Sequence, residues 1–196
     1  MINITLFASG NGSNVEAIFD YIKTRKLDNL SRVDSIQINS VFTNNDNAYV
    51  IKRCEKLRIP YFIFDKEELN NGIVLSKLIE IETDFIALCG FLLLMPKDII
   101  DYFPKKIVNL HPALLPKYGG KGMYGMNVHR EVIKNKERFS GITIHYVNEK
   151  YDKGDIIYKV RKKIMATDTP ETLANKIHSL EHKFYPVILY SVSNLD

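Results

Sequence analysis

The chain has 196 residues, with 27 lysines and arginines against 23 aspartates and glutamates, 45% hydrophobic residues and 11% aromatics. That length suits one domain with a real core, the apolar content excludes general disorder, and a net charge of +4 is too small to announce a nucleic-acid binder. Two cysteines, Cys54 and Cys89, exclude a disulfide framework and a four-thiolate zinc site; no apolar run approaches the ~20 residues of a membrane span, and no basic leader opens the chain. A soluble cytoplasmic protein with no membrane partner is expected.

Residues 2–8 predict a strand: Ile2, Ile4 and Leu6 alternate with Asn3 and Thr5. The turn-formers Ser9-Gly10-Asn11-Gly12-Ser13-Asn14 follow, then a helix over about 14–26 with Val15, Ile18, Phe19 and Ile22 on one face. The alternation repeats with a strand at 36–43, a helix at 47–57, a strand at 59–64, a helix at 68–82 and a continuously apolar strand at 85–89. A short helix at 96–102 and a strand at 107–111 come next. The stretch 112–125 is rich in Pro and Gly and predicts a long functional loop. A helix at 126–135 and strands at 141–147 and 156–164 lead to a final helix over 170–190, capped by Thr169 and ended or kinked at Pro186. The expected fold is α/β: a doubly wound, mostly parallel sheet with a Rossmann-like N-terminal half and an antiparallel edge in the C-terminal half. One domain over 1–196 is expected, in two halves, 1–103 with the first Gly-rich loop and 104–196 with the Pro- and Gly-rich one.

Four groups carry possible chemistry. The loop 9–14 joins a strand to a helix, where N–H groups and the helix dipole favour an anion. It lacks the third glycine of a dinucleotide fingerprint and the Lys-Ser/Thr of a P-loop, so a single phosphate suits it better than a pyrophosphate, and a plain Gly-rich turn with a helix cap stays open. Asn109 and His111, two apart in a strand, share a face and can act as paired oxyanion donors or as two satisfied polar side chains at a core edge. Asp152 lies in the turn 148–155; beside His111 it would raise the imidazole pKa, but spacing alone does not put it there. His178-Ser179-Leu180-Glu181-His182 matches an inverted zinc-peptidase pattern with no identifiable third ligand, and no metal is expected. His129 and His145 have no partner spacing, and His145 in an alternating strand favours a structural role.

SGNGSN at 9–14, CGFLLLMP at 89–96, NLHPALLPKYGGKG at 109–122, GITIHYVNEKYDKGDII at 141–157 and SLEHKFYP at 179–186 together resemble the folate-dependent formyltransferase superfamily over nearly the whole chain. The SGNGSN loop resembles its glycinamide ribonucleotide branch. That resemblance implies formyl transfer from 10-formyltetrahydrofolate to the amine of glycinamide ribonucleotide in purine biosynthesis. It implies Asn109, His111 and Asp152 as the catalytic trio, with Asp152 holding His111 protonated, and direct attack by the amine. Gly12, Ser13, Asn14 and Glu181 would bind the ribonucleotide. Leu92, Leu93, Leu94 and Met95, with Asn109 and the segment Asn148, Glu149, Lys150, Tyr151 and Asp152, would border the folate. The loop 118–125 can form a lid. Partners would be these small molecules, with a monomer or homodimer and no nucleic acid. A deformylase with an added N-terminal regulatory domain and a tRNA formyltransferase with an added C-terminal domain fit the length less well. Transfer to a sugar amine, or a non-catalytic nucleotide-binding domain, stays open.

Overall fold

The computed structural model describes residues 1–27 and 36–194. The first unit is β1 (Ile2–Phe7), α1 (Ser13–Leu27) and β2 (Ile36–Thr43), followed by α2 (Tyr49–Leu57), β3 (Tyr61–Ile63), α3 (Lys66–Asn70), α4 (Ile73–Glu80) and β4 (Phe85–Leu88). Then come α5 (Lys97–Tyr102), β5 (Ile107–His111), α6 (Met126–Lys134), β6 (Phe139–Tyr146), β7 (Ile156–Lys163) and α7 (Pro170–Ser193). All strands join one sheet in the order β3-β2-β1-β4-β5-β6-β7. Pairings from β3 to β5 are parallel, and β6 and β7 add an antiparallel edge. The expected doubly wound α/β fold is therefore the observed one.

The chain winds from β1 towards β3 on one side and from β4 towards β7 on the other. The crevice beyond the carboxyl ends of β1 and β4 is thus a topological switch point, where such sheets bind ligands. Alternation along each strand feeds two cores. Ile4, Leu6, Phe85, Ala87, Val108 and Leu110 pack on the face covered by α1 and α7. Phe7, Phe42, Ile86, Leu88 and Ile107 pack on the other, against Ile99 of α5 and Leu78 of α4. Leu110 anchors the first face, so Asn109 and His111 point to the second, as the strand period requires.

Two elements differ from the expected ones. The helix at 68–82 is really α3 and α4, because Asn71 and Gly72 break it. Gly72 takes φ +90°, and the Asn71 side chain caps the Ile73 N–H at 3.2 Å. Pro186 does not end α7, which continues to Ser193. The proline removes one backbone bond, but Tyr185 before it and Leu189 after it are buried in the same core and hold the helix on course.

Candidate active site

A cavity of about 530 Å³ opens at the switch point, lined by the loops after β1, β4 and β5 and by the 112–125 loop, the 147–152 turn and α7. Loop 9–14 follows β1. Ser9 Oγ donates to Asn44 Oδ1 at 2.6 Å and accepts from the Leu92 N–H at 3.1 Å, tying three strand ends together. Gly12 takes φ +73°, and a Cβ there would lie 2.4 Å from Val50 Cγ2, so only glycine fits. Ser13 opens α1. Asn14 Nδ2 donates to Glu181 Oε2 at 3.0 Å, and both side chains are buried. Asn14 Oδ1 has no protein partner, although a buried amide oxygen ordinarily finds one.

The second polar cluster lies at the end of β5. Antiparallel pairing sets Asn109 opposite His145 of β6. His145 Nδ1 donates to the Tyr146 carbonyl at 2.8 Å, which leaves Nε2 to accept from Asn109 Nδ2 at 3.1 Å. Asn109 Nδ2 also lies 3.4 Å from Asp152 Oδ1, and His111 Nδ1 lies 3.4 Å from the same oxygen. Asp152 adopts φ +54° in a turn that closes against β6. A Cβ on Gly154 would fall 1.7 Å from the Tyr146 carbonyl oxygen, so this turn demands glycine there. The 112–125 loop folds onto the cluster: His111 Nε2 donates to the Tyr118 carbonyl at 2.7 Å, and the Gly120 N–H donates to Asp152 Oδ2 at 2.7 Å.

The electrostatics correct one expectation. Burial pushes the His111 imidazole down, and neighbouring His145 adds to this; Asp152 and the Tyr118 carbonyl pull it up but do not prevail. The net pKa is below the ordinary 6.5, so His111 is neutral at pH 7 in this conformation rather than held protonated. Asp152 itself, raised by burial, is pulled below its ordinary range by His145, His111 and the Gly120 amide, and stays ionised.

The cavity brings together Gly12, Ser13, Asn14, Glu181, Asn109, His111 and Asp152. It also takes in residues 92–95, Asn148, Lys150 and Tyr151. Glu149 does not line it: the side chain turns outward to pair with Lys97 at 3.2 Å, because the Asn148 side chain folds the turn by accepting the Lys150 N–H. His145 was missed as a site residue, since only the β5–β6 register reveals that it faces Asn109. His129 and His178 also line the cavity. Burial, with His178 and His111 nearby, depresses His129 to about 4. Among the described residues no group of three or more His, Cys, Asp or Glu is arranged to hold a metal ion, and the zinc-like pattern resolves otherwise: Glu181 turns inward to Asn14. No helix there is long and apolar enough to cross a membrane.

The sequence model of the family described as formyl transferase matches residues 2–189. The chain belongs to the formyl transferase family. Within it, the chain is 35% identical over 195 residues to the chloroplastic phosphoribosylglycinamide formyltransferase of Arabidopsis thaliana, covering 96% of this chain and 64% of that protein. It thus spans less than two thirds of that relative. It is 33% identical to the phosphoribosylglycinamide formyltransferase of Bacillus subtilis, covering 100% of this chain and 97% of the relative. Among solved formyltransferase structures, that of the Bacillus halodurans phosphoribosylglycinamide formyltransferase superposes with a TM-score of 0.84 at 31% identity, covering 98% of this chain and 96% of that one. The Coxiella burnetii enzyme gives 0.83 at 32% identity, covering 96% and 85%.

Proposed function

We propose that this formyltransferase moves a formyl group from 10-formyltetrahydrofolate to the amine of glycinamide ribonucleotide, a step of purine biosynthesis. The observation that carries this reading is the meeting, in one cavity, of an anion-favouring helix start with the Asn109–His111–Asp152 cluster. Gly12, Ser13 and Asn14 hold the phosphate at the start of α1, where N–H groups are free of helical partners. Glu181, fixed by Asn14, takes ribose hydroxyls.

The folate fits the apolar side of the cavity. Leu92 and Leu94 are 44% and 41% exposed beside Met95 and Val147, a surface suited to a flat apolar ring. The backbone of 92–95 and the turn holding Asn148, Lys150 and Tyr151 supply donors and acceptors to a pterin edge. When bound, 10-formyltetrahydrofolate supplies the formyl carbon that the amine attacks. Negative charge then develops on the formyl oxygen, and donors already in place there lower the barrier most. Asn109 gives one amide hydrogen to His145, and the other, shared with Asp152 Oδ1 at 3.4 Å, moves to that oxygen when the substrate is bound. His111, once its Nε2–H leaves the Tyr118 carbonyl, hydrogen-bonds the same oxygen; the proton shed by the attacking amine is taken up by His111 and passed to the folate nitrogen as the bond between that nitrogen and the formyl carbon breaks. Asp152 orients His111 and favours its charged form as the reaction needs a proton.

A formyl-transfer assay with 10-formyltetrahydrofolate, offering glycinamide ribonucleotide, water and amino-sugar nucleotides in turn, tests this. Formylated glycinamide ribonucleotide is the expected product. Transfer only to water or to an amino sugar would overturn the substrate assignment.

A further inference from the structure

Loop residues 10–14 line the cavity, but what holds them lies behind, on α2. The Val50 N–H donates to the Gly10 carbonyl at 3.1 Å, and Arg53 Nε donates to the Asn11 carbonyl at 2.8 Å. In a trans peptide the C=O and the following N–H point opposite ways. Two successive carbonyls turned towards α2 therefore turn the N–H groups of Asn11 and Gly12 away from it. Residues 10–14 line the cavity and Val50 and Arg53 do not, so away from α2 is towards the cavity. Among the described residues no protein acceptor takes the N–H of Asn11, Gly12, Ser13 or Asn14. The N–H groups of Asn11 and Gly12 thus face the cavity, with the unpartnered first-turn N–H groups of Ser13 and Asn14 next in the chain, an arrangement that favours anions.

Arg53 is committed entirely to this support. Nη2 donates to Asn11 Oδ1 at 2.8 Å, so one guanidinium grips both the backbone and the side chain of Asn11. Nη1 meets Glu16 Oε2 in the first turn of α1, and Lys56 reaches the other Glu16 oxygen at 3.3 Å. The Tyr49 ring centroid lies 5.1 Å from the guanidinium carbon. Glu16 is shared between Arg53 and Lys56, so what sets Arg53 apart from its neighbouring cation is the two-point grip on Asn11.

We propose that Arg53 is a positioning residue for the anion end of the site: by holding Asn11 at two points it aims the loop amides at the ligand phosphate, which it never touches. The inference rests on the proposed reading of this loop as the ribonucleotide phosphate site. Lysine cannot replace it, because an ammonium lacks the planar fork that reaches two acceptors and Glu16 together.

Steady-state kinetics on the full chain test this. Arg53→Lys and Arg53→Met should each raise the ribonucleotide KM about tenfold, the worth of roughly one charge-assisted hydrogen bond, with folate KM and kcat within about twofold. A KM preserved in Arg53→Lys but lost in Arg53→Met would show that charge alone matters and overturn the proposal; unchanged values in both would do the same. Should Arg53→Met not fold, a cycle of Asn11→Ala with Arg53→Lys decides: effects smaller than additive support the proposal and additive effects overturn it. Titration with inorganic phosphate, followed by the Gly12 amide resonance, reads affinity without turnover; the midpoint should rise in Arg53→Lys, and equal midpoints overturn the proposal. The same titration separates the two levels. If inorganic phosphate moves none of the Asn11, Gly12 and Ser13 amide resonances of the unsubstituted chain, the loop is not the phosphate site and the underlying reading fails. If it moves them with the same midpoint in Arg53→Lys, only the role of Arg53 fails.

Discussion

His111 sits between two oxygens in a buried pocket, the Tyr118 carbonyl at 2.7 Å and Asp152 Oδ1 at 3.4 Å. A neutral ring has one proton for these two acceptors, and burial keeps it neutral until a substrate changes the balance. On the proposed mechanism, His111→Ala removes a donor that acts where charge develops, and Asp152→Asn removes the carboxylate that orients it. Each should lower kcat by about 10²-fold or more, with smaller changes in either KM. Near-normal turnover in both variants would dismiss the assigned roles. At this scale the sequence was legible where spacing within one strand decides, as for Asn109 and His111. It was silent where two distant segments meet: Asp152 reaches His111 only through the turn after β6, and His145 reaches Asn109 only through strand register. The protonation of His111 divides in the same way: the carboxylate that raises its pKa can be read from a motif, but the depth of burial that outweighs it cannot.

Among the elements, α7 does the most to bind the sheet to the site. It packs on α1 and α6, supplies Glu181, and buries Tyr185 completely. The Tyr185 hydroxyl donates to the Leu88 carbonyl at 3.0 Å, at the end of β4 beside the cavity, and lies 3.4 Å from the Val108 carbonyl. Tyr185→Phe keeps the ring and deletes that donor, so it should destabilise the fold by about 1 kcal/mol, seen as a lower urea midpoint at unchanged slope. An unaltered midpoint would mean that the hydroxyl contributes nothing net. Element type was read well from periodicity: β2 and β5 fall at the expected residues, 36–43 and 107–111. Local chemistry misled where tertiary packing overrides it, as at Pro186, and the turn-forming Asn70-Asn71-Gly72 was passed over inside an otherwise apolar pattern that implied one helix.

For the whole molecule, buried neutral histidines set how stability responds to acid. An unfolded histidine takes its proton near 6.5, whereas His129 in the folded state waits until about 4, and His111 is shifted in the same direction. Between those values the unfolded chain binds more protons, so stability rises with pH across that window and falls as the medium is acidified. The Asp152 carboxyl, depressed by its donors, adds a loss of the same sign at lower pH still. Urea denaturation should therefore show a lower midpoint near about pH 5 than near about pH 7.5, with a flatter dependence in His129→Gln. An identical dependence in that variant would remove His129 from the account. We propose that the halves 1–103 and 104–196 fold as one unit rather than two, since one sheet runs through both.

The Asn14–Glu181 hydrogen bond spans 167 positions of sequence. During synthesis at about 5–20 residues per second, the carboxylate partner of the α1 start emerges roughly ten to thirty seconds after the loop it completes. On the proposed reading of this loop, a nascent chain carries an anion-attracting helix start long before the carboxylate that would single out a ribonucleotide arrives with the last helix to leave the ribosome.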